Sequence, residues 1–251
     1  MSIGERKEKL LKIIIDRYIE SAEPVASKHL VERCNLDISS ATIRNEMAEL
    51  EDMGLLEQPH TSAGRIPSAA GYRLYVDELM QRRQLSAQQK EHINTVLRHK
   101  IDKLDRLLAE AGRLAADITR HAAYALPPAQ GEYERDDVLV EGTAHLLEHP
   151  EFSDIARVRR MIGYLSDKND LAKLPGPASY RGVEVLIGPE NVTAALQDAS
   201  VVMATYNLGE TRGFIGLIGP TRMDYGAVTS KLGYVARRLE WLLQQEENEH
   251  E

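Results

Sequence analysis

SSATIRNEMAELEDMGLLEQPHTSAGRIPSAAGYRLYV, residues 39–76, is the stretch on which the fold of this chain turns. Ser39 stands where a helix N-cap belongs, because its hydroxyl can accept from an amide of the first turn. Behind it Ile43, Met47 and Leu50 recur at helical spacing as a buried stripe, which leaves Ala41, Thr42, Arg44, Asn45 and Ala48 outside. Gly54 stops the helix. Residues 55–60 then read as a strand, His60 to Arg65 as a tight polar wing with Gly64 at its tip, and Arg65-Ile66 as the start of a second strand. Helix, strand, wing, strand is the order in which a winged helix meets DNA.

Two further helices are expected upstream. In residues 5–21 the apolar Leu10, Leu11, Ile14, Tyr18 and Ile19 keep helical spacing, and Glu23-Pro24-Val25 breaks the run. A short helix over 26–34 follows, with Leu30 and Val31 inward, and Asn35 to Ile38 forms the turn before Ser39. Downstream, residues 71–80 turn helical again.

Composition bounds the rest. In 251 residues, 43% hydrophobic and 28% charged content describes a globular protein with room for two or three domains. At 5% aromatic content the cores are expected to be built from Leu, Ile, Val, Ala and Met. The lone Cys34 makes no internal disulfide and reads as a small buried hydrophobe in a reducing compartment. The N-terminus is charged and amphipathic, without the apolar core of a signal peptide, and no apolar run is long enough to span a bilayer. A cytoplasmic protein without a membrane partner is expected. The net charge of −8 opposes a broad phosphate-binding footprint. Arg44, Arg65 and Arg73 nevertheless lie inside the opening motif, while acids crowd its flanks and the C-terminal tail. Modest non-specific affinity, with more weight on specific contacts, is the expectation.

Over residues 86–122 the pattern lengthens. Ile93, Leu97, Ile101, Leu104, Leu108, Ala111, Ala115, Ile118 and Ala122 follow one another by threes and fours, with no proline between them. A seam of this length reads as a coiled-coil-like dimerisation helix, carried by Ile93, Leu97, Ile101, Leu104 and Leu108. The alternative is an intramolecular bundle packing onto the C-terminal domain. Leu126-Pro127-Pro128 opens a linker. After it come a short helix over 136–148, a longer one over 153–174, strands over 182–187, 200–207 and 213–218, and a closing amphipathic helix over 225–245. The fold class expected is α+β, mostly helical, with a sheet small for its helices.

The residues that carry chemistry on this reading bind DNA. Ser39 and Ser40 offer hydroxyl and backbone N–H groups to a phosphate at a helix N-terminus. Thr42, Arg44 and Asn45 project opposite the core, where Arg reads guanine, Asn reads adenine and a Thr methyl meets thymine. In the wing, His60, Thr61, Ser62 and Arg65 suit backbone or minor-groove contact. No nucleophile, base or metal constellation converges, so no catalytic residue, cofactor or metal site is assigned and an enzyme is not expected. His145 and His149 stand four apart without a further ligand. The strand-to-helix stretch 218–225, Ile-Gly-Pro-Thr-Arg-Met-Asp-Tyr, either cradles an anion or uses Thr221 or Asp224 to cap the last helix.

Residues 39–79 resemble the hallmark segment of heat-inducible transcription repressors of the HrcA type. The likeness recurs in GVEVLIGPEN (182–191), in GFIGLIGPTRMDYGAV (213–228) and in GTAHLLEHPEFSD (142–154). The resemblance implies a homodimeric repressor with an N-terminal winged helix-turn-helix and a GAF-like C-terminal domain. It further implies binding to an inverted-repeat operator in double-stranded DNA upstream of chaperone operons. A GroE-type chaperonin as partner, and loss of repression on heat stress, belong to the same resemblance. One departure stands out: family members carry a sizeable strand-containing segment before the block at Gly142. Here Ala125 passes through Pro127-Pro128 almost directly to that block, so a reduced GAF-like domain is expected.

The domains expected are thus 1–84, the winged-helix DNA-binding domain; 85–125, the long dimerisation helix; and 126–251, the reduced GAF-like α+β domain. The rival reading is a metabolite-responsive winged-helix regulator whose C-terminal domain senses a small molecule.

Overall fold

The computed structural model describes residues 3–34, 39–60, 63–81, 83–97, 104–128, 138–171 and 182–250. The chain divides into two compact units. Residues 1–81 together with 221–225 form the first, and 82–220 with 226–251 the second.

The first unit opens with α1 (Glu5–Ser21), whose Leu10, Leu11, Ile14 and Ile15 are buried. It ends at Ala22 in the left-handed region (φ 57°), where the cap amide donates to the Tyr18 carbonyl. Then come α2 (Ser27–Cys34) and α3 (Ser40–Asp52). The hairpin strands are shorter than the apolar pattern predicts: β1 is Leu56–Glu57 and β2 is Ile66–Pro67, paired antiparallel. Pro67 and the wing leave little ladder to extend. An antiparallel bridge between Val25 and Arg65 adds a third short rung. Helix α4 (Ala69–Leu74) is capped by Ser68, whose Oγ accepts from the Gly71 amide, and it continues as one π-helical turn over Tyr75–Leu79. Tyr75 donates its hydroxyl to Asp16 at 2.7 Å, fastening this turn to α1.

The second unit is built on a five-stranded antiparallel sheet. Its strands are β3 (Ala122–Leu126), β4 (Leu139–Glu141), β5 (Val183–Ile187), β6 (Ala199–Leu208) and β7 (Thr211–Pro220). They lie in the order β4-β3-β7-β6-β5. One face packs on α7 (Ile155–Ser166), α8 (Lys168–Leu171) and short 3-10 turns through Tyr124, Phe152, Met161, Leu165, Val201 and Met203. Helix α6 (Leu104–Thr119) packs on β3 and β4, and α5 (Ala87–Leu97) packs on α6. The closing helix α9 (Tyr225–His250) runs from Tyr225 in the first unit into the second. It is tied to β6 where Glu240 accepts from the Asn207 backbone and side-chain amides, both at 3.1 Å. Among the described residues no helix is long and apolar enough to cross a membrane.

Four expectations are corrected here. The helix expected over 86–122 is two helices, with 98–103 outside the described residues; α6 ends at Thr119, and Ala122 opens a strand. Ala122 to Ala125 are buried throughout, and an apolar run of small residues fits a helix stripe and a buried strand equally well. The helix expected over 136–148 is β4 followed by a 3-10 turn over Thr143–Glu148. With β3 and β4 added, the sheet is no longer small. Finally, tyrosines share the core that was expected to be aliphatic, since Tyr72, Tyr124, Tyr206 and Tyr225 are all fully buried.

The seam residues are buried inside the single chain: Ile93 and Leu97 are 1% exposed and Leu108 is 0%. That is the packing of the intramolecular alternative, and these three side chains are already covered before any second subunit arrives. Leu104 is half-buried, and Ile101 lies outside the described residues.

Candidate nucleic-acid interface

Helix α3 begins as its sequence implies. Ser39 is extended (φ −69°, ψ 153°), and its Oγ accepts from the Thr42 amide at 3.1 Å while sharing a hydrogen bond with the Thr42 hydroxyl at 2.9 Å. Both hydroxyls are therefore engaged in holding the first turn. Ser40 and Thr42 are half-buried, whereas Ser39, Ala41, Arg44 and Asn45 are exposed. The inner stripe carries Ile43, Met47 and Leu50 as expected, and one residue that was not: Glu46, 3% exposed.

Glu46 is buried because Arg6 of α1 reaches over it and pairs with its carboxylate. Two more ion pairs hold the same half of the helix. Lys7 of α1 meets Glu49 at 2.7 Å, and Arg65 meets Glu51 at 2.7 Å. Glu46, Glu49 and Glu51 are thereby met by cations from α1 and from the hairpin. The N-terminal half, Ser39 to Asn45, contains no acid, and its exposed cation is Arg44. Unpaired amide groups and the positive end of the helix dipole lie at this same end. The spacing alone could have revealed Glu46, which sits three residues past Ile43 and four before Leu50 on the same face.

The hairpin departs from expectation in two respects. The Arg65 side chain, expected to meet DNA, is engaged within the protein: its guanidinium is bound to Glu51 and 18% exposed, and its backbone bonds Val25 in both directions at 2.9 Å. Gly64 serves a close approach instead of a turn, since a Cβ there would come within 2.4 Å of the Val25 carbonyl. The loop is closed by Gln58, whose side-chain amide donates to the Ala63 carbonyl at 3.0 Å. His60 is exposed, and Thr61 and Ser62 lie outside the described residues. A concavity of about 500 Å³ opens beside this loop, lined by Ser27, Arg44, Met47, Gln58 and Arg65 among others. It brings Arg44 and Arg65 to one surface.

The anion cradle considered for residues 218–225 takes another form. The Tyr225 hydroxyl donates to the Thr221 carbonyl at 2.6 Å, and Tyr225 and Met223 are buried. His145 and His149 also have protein partners. His145 lies between Asp117 and Glu148 at 3.3 and 3.1 Å, and His149 Nε2 approaches the Arg120 carbonyl at 2.9 Å.

Comparison with known proteins places the chain in a family. Residues 75–229 match the family described as HrcA protein C terminal domain. The chain is 31% identical to the heat-inducible transcription repressor HrcA of Moorella thermoacetica, covering 98% of this chain and 99% of that protein. It is 32% identical to the repressor of the same name from Symbiobacterium thermophilum, covering 94% and 98%. The first of these alignments runs over 341 positions against 251 residues here, so at least 90 positions have no counterpart in this chain. A crystal structure of a hypothetical protein at 2.2 Å resolution has the same fold, with a TM-score of 0.80 at 22% identity over 97% of this chain and 99% of that one. With its C-terminal block matched and its relatives aligned from end to end, the chain belongs to the HrcA family of heat-inducible transcription repressors.

Proposed function

We propose that this repressor of heat-shock genes reads an inverted-repeat operator as a homodimer, with residues 1–84 as a winged helix-turn-helix and α3 as the recognition helix. The observation that carries the reading is the division of α3 into an acid-free N-terminal half that exposes Arg44 and Asn45 and a C-terminal half in which Glu46, Glu49 and Glu51 each meet a cation. Arg44 and Asn45 reach base edges in the major groove, and the Ser39–Ser40 end meets the phosphate backbone. His60, and Thr61 and Ser62 beside it, follow the adjacent backbone. Arg65 acts chiefly by fixing the hairpin to Glu51. Two-fold symmetry in the protein matches the palindrome of the operator. Since Ile93, Leu97 and Leu108 are covered within the chain, the dimer contact is made by other surfaces.

The sheet unit is assigned as a reduced GAF-like domain. A GroE-type chaperonin that favours the active form, diverted by unfolded clients on heating, accounts for the release of repression. The test is a mobility shift against a cognate inverted repeat and a scrambled duplex. Arg44→Ala and Asn45→Ala are expected to lose the preference for the repeat by about 1–3 kcal/mol each, while Arg65→Ala weakens both duplexes alike. Selectivity that survives in the Arg44 and Asn45 variants removes α3 from the recognition role.

A further inference from the structure

The first unit is not made of N-terminal residues alone. Thr221–Tyr225, the peptide between β7 and α9, clusters with residues 1–81. Tyr225 is 0% exposed, and its ring meets Tyr72 of α4 edge-on, with centroids 5.9 Å apart at 66°. Met223 is 1% exposed. Arg222 donates from its guanidinium to the carbonyl of Ile19, in the last turn of α1. That turn holds no basic residue of its own, and the last carbonyls of a helix need donors and favour a cation. A residue 203 positions away in sequence supplies both.

Both flanks of this peptide are fixed in the other unit. β7 ends at Pro220, paired with β3 on one side and β6 on the other. α9 leaves at Tyr225 and buries Val228, Leu232, Val235 and Leu239.

We infer that Arg222, Met223 and Tyr225 are positioning residues for operator binding, completing the core of the DNA-reading unit from a peptide whose ends are set by β7 and α9. This rests on the reading that α3 contacts DNA. Its consequence concerns heat. Loosening of the β7–α9 connection withdraws an aromatic side chain from beside Tyr72 and a cation from the end of α1, so binding lapses before α3 itself melts. The competent fraction of the first unit then sets the apparent affinity.

The experiment uses full-length protein. Operator binding by fluorescence anisotropy is followed through a temperature ramp, with hydrogen exchange of the α1, α4, β6 and β7 amides alongside. Tyr225→Ala is expected to weaken operator binding about tenfold or more and to release DNA at a lower temperature. It should also lose α1 and α4 protection while the β6–β7 ladder stays as protected as in the wild type. Arg222→Ala moves the same way by less, and Tyr225→Phe, which keeps the ring against Tyr72, restores binding. Wild-type affinity and release temperature in both alanine variants overturn the inference. So does loss of β6–β7 protection together with α1 in Tyr225→Ala, which marks general unfolding. Arg44→Ala run in parallel separates the two claims: if it retains selectivity, the α3 assignment fails, and the exchange pattern alone still decides the positioning role.

Discussion

Glu46 of α3 and Arg6 of α1 form an ion pair with unequal solvent exposure: the carboxylate side chain is 4% exposed and the arginine 66%. An acid on the face of a helix proposed to meet DNA works against phosphate binding. The charge of Glu46 is turned inward and met from α1, and Lys7 of α1 also meets the exposed Glu49. The two ion pairs therefore fasten α3 to α1 and offset the charges of Glu46 and Glu49.

The pair is expected to matter unequally to its two members. Arg6→Ala leaves a buried carboxylate without its counter-charge and costs about 1–3 kcal/mol of stability. Glu46→Leu removes the buried charge and fills the same space, so its cost is about 1 kcal/mol or less. Urea unfolding of both single variants and the double variant measures the coupling. Equal losses from the two single changes, with full additivity, mean that the pair contributes nothing.

Ser39 both caps α3 and stands where a phosphate is expected, and two substitutions separate these roles. Ser39→Ala loses the hydrogen bond to the Thr42 amide and about 1 kcal/mol of stability. Ser39→Asp keeps a capping acceptor and adds a negative charge. It should fold as well as the wild type yet bind operator more weakly, in a salt-dependent manner. Operator affinity that tracks stability across both variants would show that the position is a cap alone.

How far these features were legible depends on the range of the interactions that make them. α1 falls on residues 5–21 as its apolar spacing implies, and the Ser39 cap forms as expected, because both depend on neighbours within a turn. Strands β5, β6 and β7 were also readable from runs of Val, Ile and Leu. Ala122-Ala123-Tyr124-Ala125 was not, since its small side chains suit either periodicity and its partners, β7 and β4, lie far along the chain. Glu46 was missed because a stripe defined by hydrophobicity passes over a charged residue whose partner is remote. The place of residues 221–225 in the first unit had no local signal, being fixed by Tyr72 and Ile19.

Gly216 is expected to resist substitution for a reason visible in the sheet. Its strand partner Tyr124 lies across it, and a Cβ on Gly216 would come within 2.3 Å of the ring. The ring is 1% exposed and has no room to turn aside. Gly216→Ala should therefore cost about 1–3 kcal/mol through overpacking. In a Tyr124→Leu background the same change should be much milder. Thermal unfolding of the four proteins tests this; an equal penalty in both backgrounds locates the strain elsewhere.

Acid should weaken the sheet unit through His121. Its ring is 6% exposed, lies 5.0 Å from that of His149, and has Nδ1 beside the Thr119 carbonyl with no hydrogen-bond partner for Nε2 among the described residues. Burial, with the nearby His149 charge adding to it and smaller contributions from His145 and Lys231, lowers its pKa to about 4. The unfolded chain titrates near the ordinary value of about 6.5, so between those values it binds the proton that the folded protein refuses. Stability from this group is then complete above about pH 6.5 and is lost as the pH falls toward 4, by about 3 kcal/mol in all. Urea unfolding from pH 7 down to pH 5 should show a steeper loss in the wild type than in His121→Phe, which cannot titrate. Equal slopes in the two proteins would mean that His121 is protonated as readily in the folded state as in the unfolded one.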